Sequence, residues 1–216
     1  MARRKLNGEI YGIIGATVSY NYKGRSCIRL RCVERKDKSP LIKQARLDFR
    51  VVMGLIKKMK LIIDEGFRFH TKDRSAYHSA LSVNLNNYRE AARLNKLDTL
   101  SWFSLSGGKL SSAIITSAIL TPEKAVEITW SGVEPGRVCC DNDIVTAVLY
   151  LNIQKRVVKC DDSVTRQAGK VTINPGYLKQ DEKIDVFLSF RSNSIRYYNT
   201  DKYASNSLWV KQLVTS

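Results

Sequence analysis

Hydrophobic positions in this chain of 216 residues repeat with different periods in three successive parts. Through residues 39–94 apolar side chains recur at steps of three and four, which is typical of amphipathic helices. Before and after that part, apolar and polar residues alternate or form short runs between turn residues, which is typical of strands. The pattern predicts an α+β protein with three domains, at residues 1–38, 39–94 and 95–216.

The first part is predicted to form a Gly-rich basic β-hairpin or an extended β arm. Residues 16–22 are rich in β-branched and aromatic side chains, and in residues 26–33 apolar residues alternate with Arg29 and Arg31. This alternation predicts a strand with one arginine-bearing face. The residues 21–24 between the two runs are typical of a turn.

The second part is predicted to form a helical hairpin. Ser39 followed by Pro40 is a favourable helix start, since serine caps the first turn and proline fits the first helical position. An apolar seam then continues over three heptads at Ile42, Ala45, Phe49, Val52, Ile56, Met59 and Ile63. We expect its middle residues, from Phe49 to Met59, to be buried against another helix, of this chain or of a neighbour. The favoured partner is a second helix over residues 72–92, with Tyr77, Leu81, Leu85 and Tyr88 on one face.

The third part contains about seven short apolar runs separated by turn residues. They lie at residues 100–105, 126–130, 144–150, 156–158, 170–173, 184–190 and 207–210. Short strands at this spacing predict a C-terminal β-sandwich of immunoglobulin or fibronectin type. Trp130 is expected to fill the space between its two sheets.

The charge of the chain is concentrated at one end. The net charge is +16, and residues 1–60 hold 16 Lys or Arg but four Asp or Glu. Such a field attracts polyanions. A hydrophobic fraction of 44% nevertheless indicates a folded protein.

The composition also predicts the cellular compartment of the protein. The chain has no apolar run long enough for a membrane span and no signal-peptide core after its basic start. Its five cysteines are odd in number and irregularly spaced, which favours free thiols in a reducing compartment. We expect a cytoplasmic protein, or a virion-associated one if the chain derives from a phage.

The candidate site is a set of cations with interleaved tyrosines near the N-terminus. It comprises Arg3, Arg4, Lys5, Lys23, Arg25, Arg29, Arg31, Arg35, Lys36, Lys38, Tyr20 and Tyr22. Cations attract phosphates and tyrosines stack on unpaired bases, so the set could bind nucleic acid. Basic residues also protect exposed strands from unwanted pairing, and both interpretations stay open. No motif for sequence-specific DNA or RNA recognition is present.

No catalytic or cofactor motif is evident in the sequence. The glycines Gly8, Gly12 and Gly15 are not followed by the Gly-Lys-Ser/Thr ending of a phosphate-binding loop. His70 and His78 are the only histidines and have no evident third metal ligand. We therefore expect neither an enzyme nor a cofactor or metal site.

Several loose motifs resemble an uncharacterised protein family of Bacteroidota, a domain of unknown function. They span most of the chain: the basic start, Gly8, Gly12, Gly15, residues 18–24, Ile28, Arg29, Pro40, Gln44, Arg46, Phe49, Ser106, Gly107, residues 128–130 and residues 205–207. The pattern of Pro40, Gln44, Arg46 and Phe49 is also similar to one in phage virion proteins, which implies a role in assembly.

These observations favour a non-enzymatic structural or assembly protein. Its basic arm would join a second copy, or a larger bacterial or phage assembly, by strand addition. The alternative is a nucleic-acid binding protein without sequence specificity, which would bind phosphate through the same arm.

Overall fold

The computed structural model describes residues 3–4, 10–22, 24–31, 39–70, 74–132 and 139–215. Helices and antiparallel sheets are both present, which confirms the predicted mixed α+β class. The chain divides into two compact units, Met1–Ala45 and Arg46–Ser216. The predicted division into three domains stays a prediction.

The first unit contains an antiparallel sheet with the strand order β1-β2-β3-β4. Its strands are β1 (Arg3–Arg4), β2 (Ile10–Ile14), β3 (Thr17–Tyr22) and β4 (Arg25–Leu30). Gly24 has a positive φ of 80° and donates its backbone N–H to Oδ1 of Asn21 at 2.9 Å. Glycine tolerates this backbone conformation because it lacks a Cβ. The predicted turn and hairpin are confirmed, and β1 and β2 extend the hairpin to four strands.

Three α-helices follow within the described residues. They are α1 (Pro40–Lys58), α2 (Lys60–Gly66) and α3 (Ala76–Arg93). The hydroxyl of Ser39 accepts from the N–H of Ile42 at 3.4 Å, as expected of a capping serine. Met59 is not helical and separates α1 from α2, so the single long helix that was predicted is two helices. Ser75 caps α3 by accepting from the N–H of His78.

The apolar seam of α1 is buried over its second half alone. Val52 and Ile56 are fully buried, and the seam continues into the core through Met59 and Ile63. Ile42 and Phe49 are 47% and 40% exposed, so the predicted burial of Phe49 is wrong. The buried cluster on the helices includes seam residues of α1 from Val52 onward and none of the earlier ones.

The described part of the second unit also contains two antiparallel sheets. Their strands are β5 (Ile114–Leu120), β6 (Val126–Ser131), β7 (Ile144–Leu151), β8 (Arg156–Lys159), β9 (Lys170–Ile173), β10 (Lys183–Arg191) and β11 (Leu208–Val214). The smaller sheet has the order β5-β6-β9 and the larger β11-β10-β7-β8. The predicted strand at residues 100–105 is wrong, because this apolar run forms turns, and β5 was not predicted.

Side chains from both sheets form one buried cluster between them. Trp130 on β6 packs edge-on against Phe190 on β10 with 5.9 Å between ring centroids. Its Nε1 donates to the carbonyl oxygen of Arg166 at 2.9 Å. The expectation that Trp130 fills the space between the sheets is confirmed.

The opposite face of the larger sheet carries the helices. Val148, Tyr150 and Phe187 point away from the smaller sheet and join a second buried cluster with α2, α3 and Trp102. Strand residues alternate between two faces, so β7 and β10 contribute to both clusters. The second unit therefore has three layers: helices, the larger sheet and the smaller sheet.

Candidate interaction surface

Three apolar side chains are exposed on one face of the N-terminal sheet. Ile14 pairs with Thr17, which pairs in turn with Leu30, and Ile28 lies on the same face two residues before Leu30. Ile28 and Leu30 are 72% and 80% exposed, and Ile14 is 42% exposed. We call Ile14, Ile28 and Leu30 the apolar face. Exposed neighbouring apolar side chains are typical of an interaction surface.

The other face is basic and aromatic. Arg25, Arg29 and Tyr20 lie on it, and the guanidinium carbon of Arg29 is 5.8 Å from the centroid of the Tyr20 ring. Arg31 continues the alternation, and its backbone N–H donates to the carbonyl of Ala16 at 2.7 Å. Within the described residues, none of the three arginines forms an ion pair. We call Arg25, Arg29, Arg31 and Tyr20 the basic face.

β4 is the last strand of this sheet and pairs on one side with β3. Among the described strands it has no partner on its other side. The backbone N–H and C=O groups of an edge strand can pair with a strand from another chain. The apolar face, the basic face and this edge therefore meet on β4.

The sheet brings some of the predicted site residues together and places others apart. Arg25, Arg29, Arg31 and Tyr20 come together at β4. The backbones of Arg3 and Arg4 lie in β1, at the opposite edge of the sheet, and that of Tyr22 lies at the end of β3. The other predicted residues lie outside the described ones: Lys5, Lys23, Arg35, Lys36 and Lys38.

Sequence reasoning did not assign a role to the apolar face. Its signal was present in the alternation of Ile28 and Leu30 with the arginines, since a period of two places both on one side of a strand. Whether that side is covered by the chain's own core depends on tertiary packing. Ile14 belongs to the same face because of the register between β2 and β3, which the sequence pattern did not specify.

Arg166 and Asp143 form a buried ion pair in the second unit. Nε of Arg166 lies 3.3 Å from Oδ2 of Asp143, and Nη2 of Arg166 donates to the carbonyl of Ser111 at 2.6 Å. The guanidinium carbon also lies 3.9 Å from the ring centroid of Phe190. Burial raises the pKa of Asp143, although Arg166 and the backbone N–H of Cys140 oppose this. The pair joins the loop before β7 to the loop before β9, so its evident role is structural.

A second ionic group connects the helices to the larger sheet. Arg191 on β10 contacts Glu65 on α2, and Nη2 of Arg191 lies 3.2 Å from Oδ1 of Asp162. Nζ of Lys159 lies 2.6 Å from Oδ1 of Asp162 and 3.7 Å from Oε2 of Glu65. Burial of Asp162 opposes its ionisation, but Lys159 and Arg191 outweigh that effect and lower its pKa.

The histidines and cysteines that the structure describes do not converge on a metal site. Nδ1 of His78 lies 2.7 Å from the hydroxyl of the capping Ser75, and the ring of His70 packs against Phe67. Four cysteines that the structure describes are free thiols: Cys27, Cys139, Cys140 and Cys160. No group of three or more potential ligands occurs within the described ranges.

Comparison with models of protein families gives a match. A family model described as a family of unknown function matches residues 9–203. No curated protein and no solved structure matches the chain. In the part of the chain that the structure describes, no helix is both long and apolar enough to cross a bilayer.

Proposed function

Since the chain belongs to the family of unknown function DUF6266, its own residues must indicate its role, and we propose that it is a non-enzymatic structural protein that self-associates through its N-terminal sheet. The observation that carries this proposal is the apolar face beside β4, which has a partner on one side alone among the described strands. Ile28 and Leu30 are 72% and 80% exposed there. Fully burying such a side chain contributes about 1.5–3 kcal/mol, so association has a substantial driving force.

The proposed contact is antiparallel pairing of β4 with β4 of a second copy about a twofold axis. This pairing adds backbone hydrogen bonds and brings the two apolar faces onto one side of a continuous sheet. The same pairing brings arginines of both copies together on the other side, where like charges repel. Added salt should screen that repulsion and strengthen the association.

The strand order supports a sandwich of immunoglobulin or fibronectin type as the rigid body of such a protein. Counting from β5, the first, second and fifth strands form one sheet, and the seventh, sixth, third and fourth form the other. This order departs from the constant immunoglobulin order by placing the fourth strand in the other sheet. The resemblance to phage virion proteins in residues 40–49 also fits assembly, in the cytoplasm or in a virion.

Light scattering after size-exclusion chromatography tests the proposal. The variant combines Ile28→Ser with Leu30→Ser, and the control is Leu61→Ser, since Leu61 is 84% exposed on α2. Nuclease-treated samples are compared from about 1 to 100 µM, a range that covers weak association. We expect the wild type and the control to dimerise with concentration and the double variant to stay monomeric. A wild type that is monomeric throughout contradicts the proposal.

The basic face favours nucleic-acid binding as a second candidate function. Arg29 lies over Tyr20, and Arg25 and Arg31 have no acidic partner among the described residues. Exposed cations beside an aromatic ring suit phosphates and unpaired bases. Fluorescence anisotropy with a labelled single-stranded oligonucleotide tests this, and affinity must fall as salt is added. Absence of binding at low salt eliminates this candidate.

A further inference from the structure

A cleft in the second unit has the properties of a small-molecule site. It has a volume of about 250 Å³ and lies between the end of α3, the turns at residues 101–104 and the start of β11. Its lining includes Asn87, Glu90, Lys96, Trp102, Ser104 and Trp209. Pockets for drug-sized ligands are larger, at about 300–1,000 Å³, so this cleft suits a small metabolite.

The side chain of Trp102 lines this cleft. Its side chain is 8% exposed and is held edge-on by Tyr88 and Phe103, with ring centroids 5.0 and 5.5 Å away. Its Nε1 is buried and has no hydrogen-bond partner among the described residues. Trp209 differs, because its Nε1 already donates to Oδ1 of Asp185 at 2.8 Å.

The polar wall of the cleft is held in place by hydrogen bonds. The backbone N–H of Ser104 donates to Oδ1 of Asn84 at 2.7 Å, and Nδ2 of Asn84 donates to the carbonyl of Ser104 at 2.9 Å. Nδ2 of Asn87 donates to the hydroxyl of Ser104 at 3.3 Å. The Oδ1 atom of Asn87 remains available as an acceptor at a preorganised position.

Two opposite charges border the cleft. Glu90 lies in the last turn of α3, and Lys96 follows the end of the helix, where its backbone N–H donates to the carbonyl of Ala91 at 2.9 Å. Neither side chain forms an ion pair within the described residues. The C-terminal end of a helix carries partial negative charge, which together with Glu90 favours a cation. Lys96 favours an anion.

From this arrangement we propose that the cleft binds a small zwitterion, a free α-amino acid with an apolar side chain. The ammonium group is bound by Glu90 and Oδ1 of Asn87. The carboxylate is bound by Lys96. The apolar side chain packs on the indole ring of Trp209. A simple cation or a simple anion would leave one of the two charges unmatched.

Calorimetric titration with leucine and phenylalanine tests the site. N-acetyl-leucine, which lacks the cation, leucinamide, which lacks the carboxylate, and glucose, which lacks both, complete the set of probes. We expect leucine or phenylalanine to bind and each modified probe to bind about tenfold more weakly or worse, since a hydrogen bond to a charged group is lost. If neither amino acid binds, or if N-acetyl-leucine or glucose binds equally well, the proposal is overturned.

Substitutions assign the binding to this cleft. Glu90→Gln and Lys96→Gln should each weaken leucine binding about tenfold, because each removes one of the two charges. Glu123→Gln, an exposed acid between β5 and β6, serves as the control and should leave the affinity unchanged. Circular dichroism verifies that each variant is folded. Unchanged affinity in both folded cleft variants contradicts the proposal, whatever the oligomeric state of the protein.

Discussion

Arg166 and Asp143 are an ion pair removed almost entirely from water. Nε lies 3.3 Å from Oδ2, and the two side chains are 4% and 0% exposed. Asp143→Asn would leave the guanidinium buried without a counter-charge. We expect a loss of about 3–5 kcal/mol in the free energy of unfolding, the usual effect of breaking a buried pair. Urea denaturation measures this loss.

The matched control for that substitution is Glu127→Gln. Glu127 forms a looser pair with Lys170, at 3.9 Å, and the side chain of Lys170 is 67% exposed. Exposed pairs contribute less than about 1 kcal/mol. If Asp143→Asn and Glu127→Gln have equal effects, the buried pair does not have the structural role assigned to it.

Asp162 should make stability depend on pH in a known direction. Lys159 and Arg191 lower its pKa in the folded state, despite partial burial. The unfolded chain therefore binds more protons around the ordinary carboxyl pKa of about 3.9, and the stabilisation is lost as pH falls through the folded pKa. Urea denaturation of the wild type and Asp162→Asn from about pH 6 to pH 3 should show their difference in stability shrinking with acid. A difference independent of pH contradicts this.

Replacing a side chain by alanine should affect stability differently in the two halves of the α1 seam. Ile56 is fully buried, and Ile56→Ala should destabilise the fold by about 2–5 kcal/mol. Phe49 is 40% exposed, so Phe49→Ala should cost less than Ile56→Ala although it removes more atoms. Thermal melts at a concentration low enough to exclude association provide the comparison. A larger effect at Phe49 would mean that this half of α1 is covered.

The basic face predicts how nucleic-acid binding, if present, depends on salt. Each neutralised phosphate changes the slope of log K against log salt by about 0.9 on duplex DNA and about 0.7 on single strands. Replacing Arg25, Arg29 and Arg31 together by Ser should flatten the slope by about two to three units. The fold should be unaffected, because these residues are exposed. A variant with the wild-type slope would exclude the basic face as the phosphate contact.

Salt separates the two candidate functions as well. Self-association through β4 should strengthen with salt, whereas phosphate binding should weaken. The arginine-to-serine variant should also dimerise more readily than the wild type if repulsion between the basic faces limits association. Weaker dimerisation of that variant would show instead that the arginines bind the partner directly.

Sequence patterns predicted elements well where local periodicity controls structure. The cap at Ser39, the turn near Gly24 and the burial of Trp130 follow from residue type and spacing, and all three are present. The arginines of β4 do share a face with Tyr20, as the alternation predicted, and their role in binding stays a prediction.

The failures have a common physical cause. Residues 100–105 are apolar enough for a strand, yet they form turns that bury Trp102 and Phe103 against the helices and the larger sheet. Phe49 continues the heptad pattern, but its side chain is exposed because the buried cluster on α1 begins at Val52. A short apolar run predicts that its side chains are buried. Whether the run forms a strand or a turn depends on how the rest of the chain packs around it.

The sequence by itself therefore determined the mixed α+β class, the capped helix, the β3–β4 hairpin and the concentration of positive charge near one end. These depend on backbone preferences and side-chain period, which are local properties. The tertiary structure alone decided which apolar side chains stay exposed, that Glu90 and Lys96 border the same cleft as Trp102, and that Arg166 is paired with Asp143. Those relationships join residues distant in the chain, and strand register and packing set them rather than spacing.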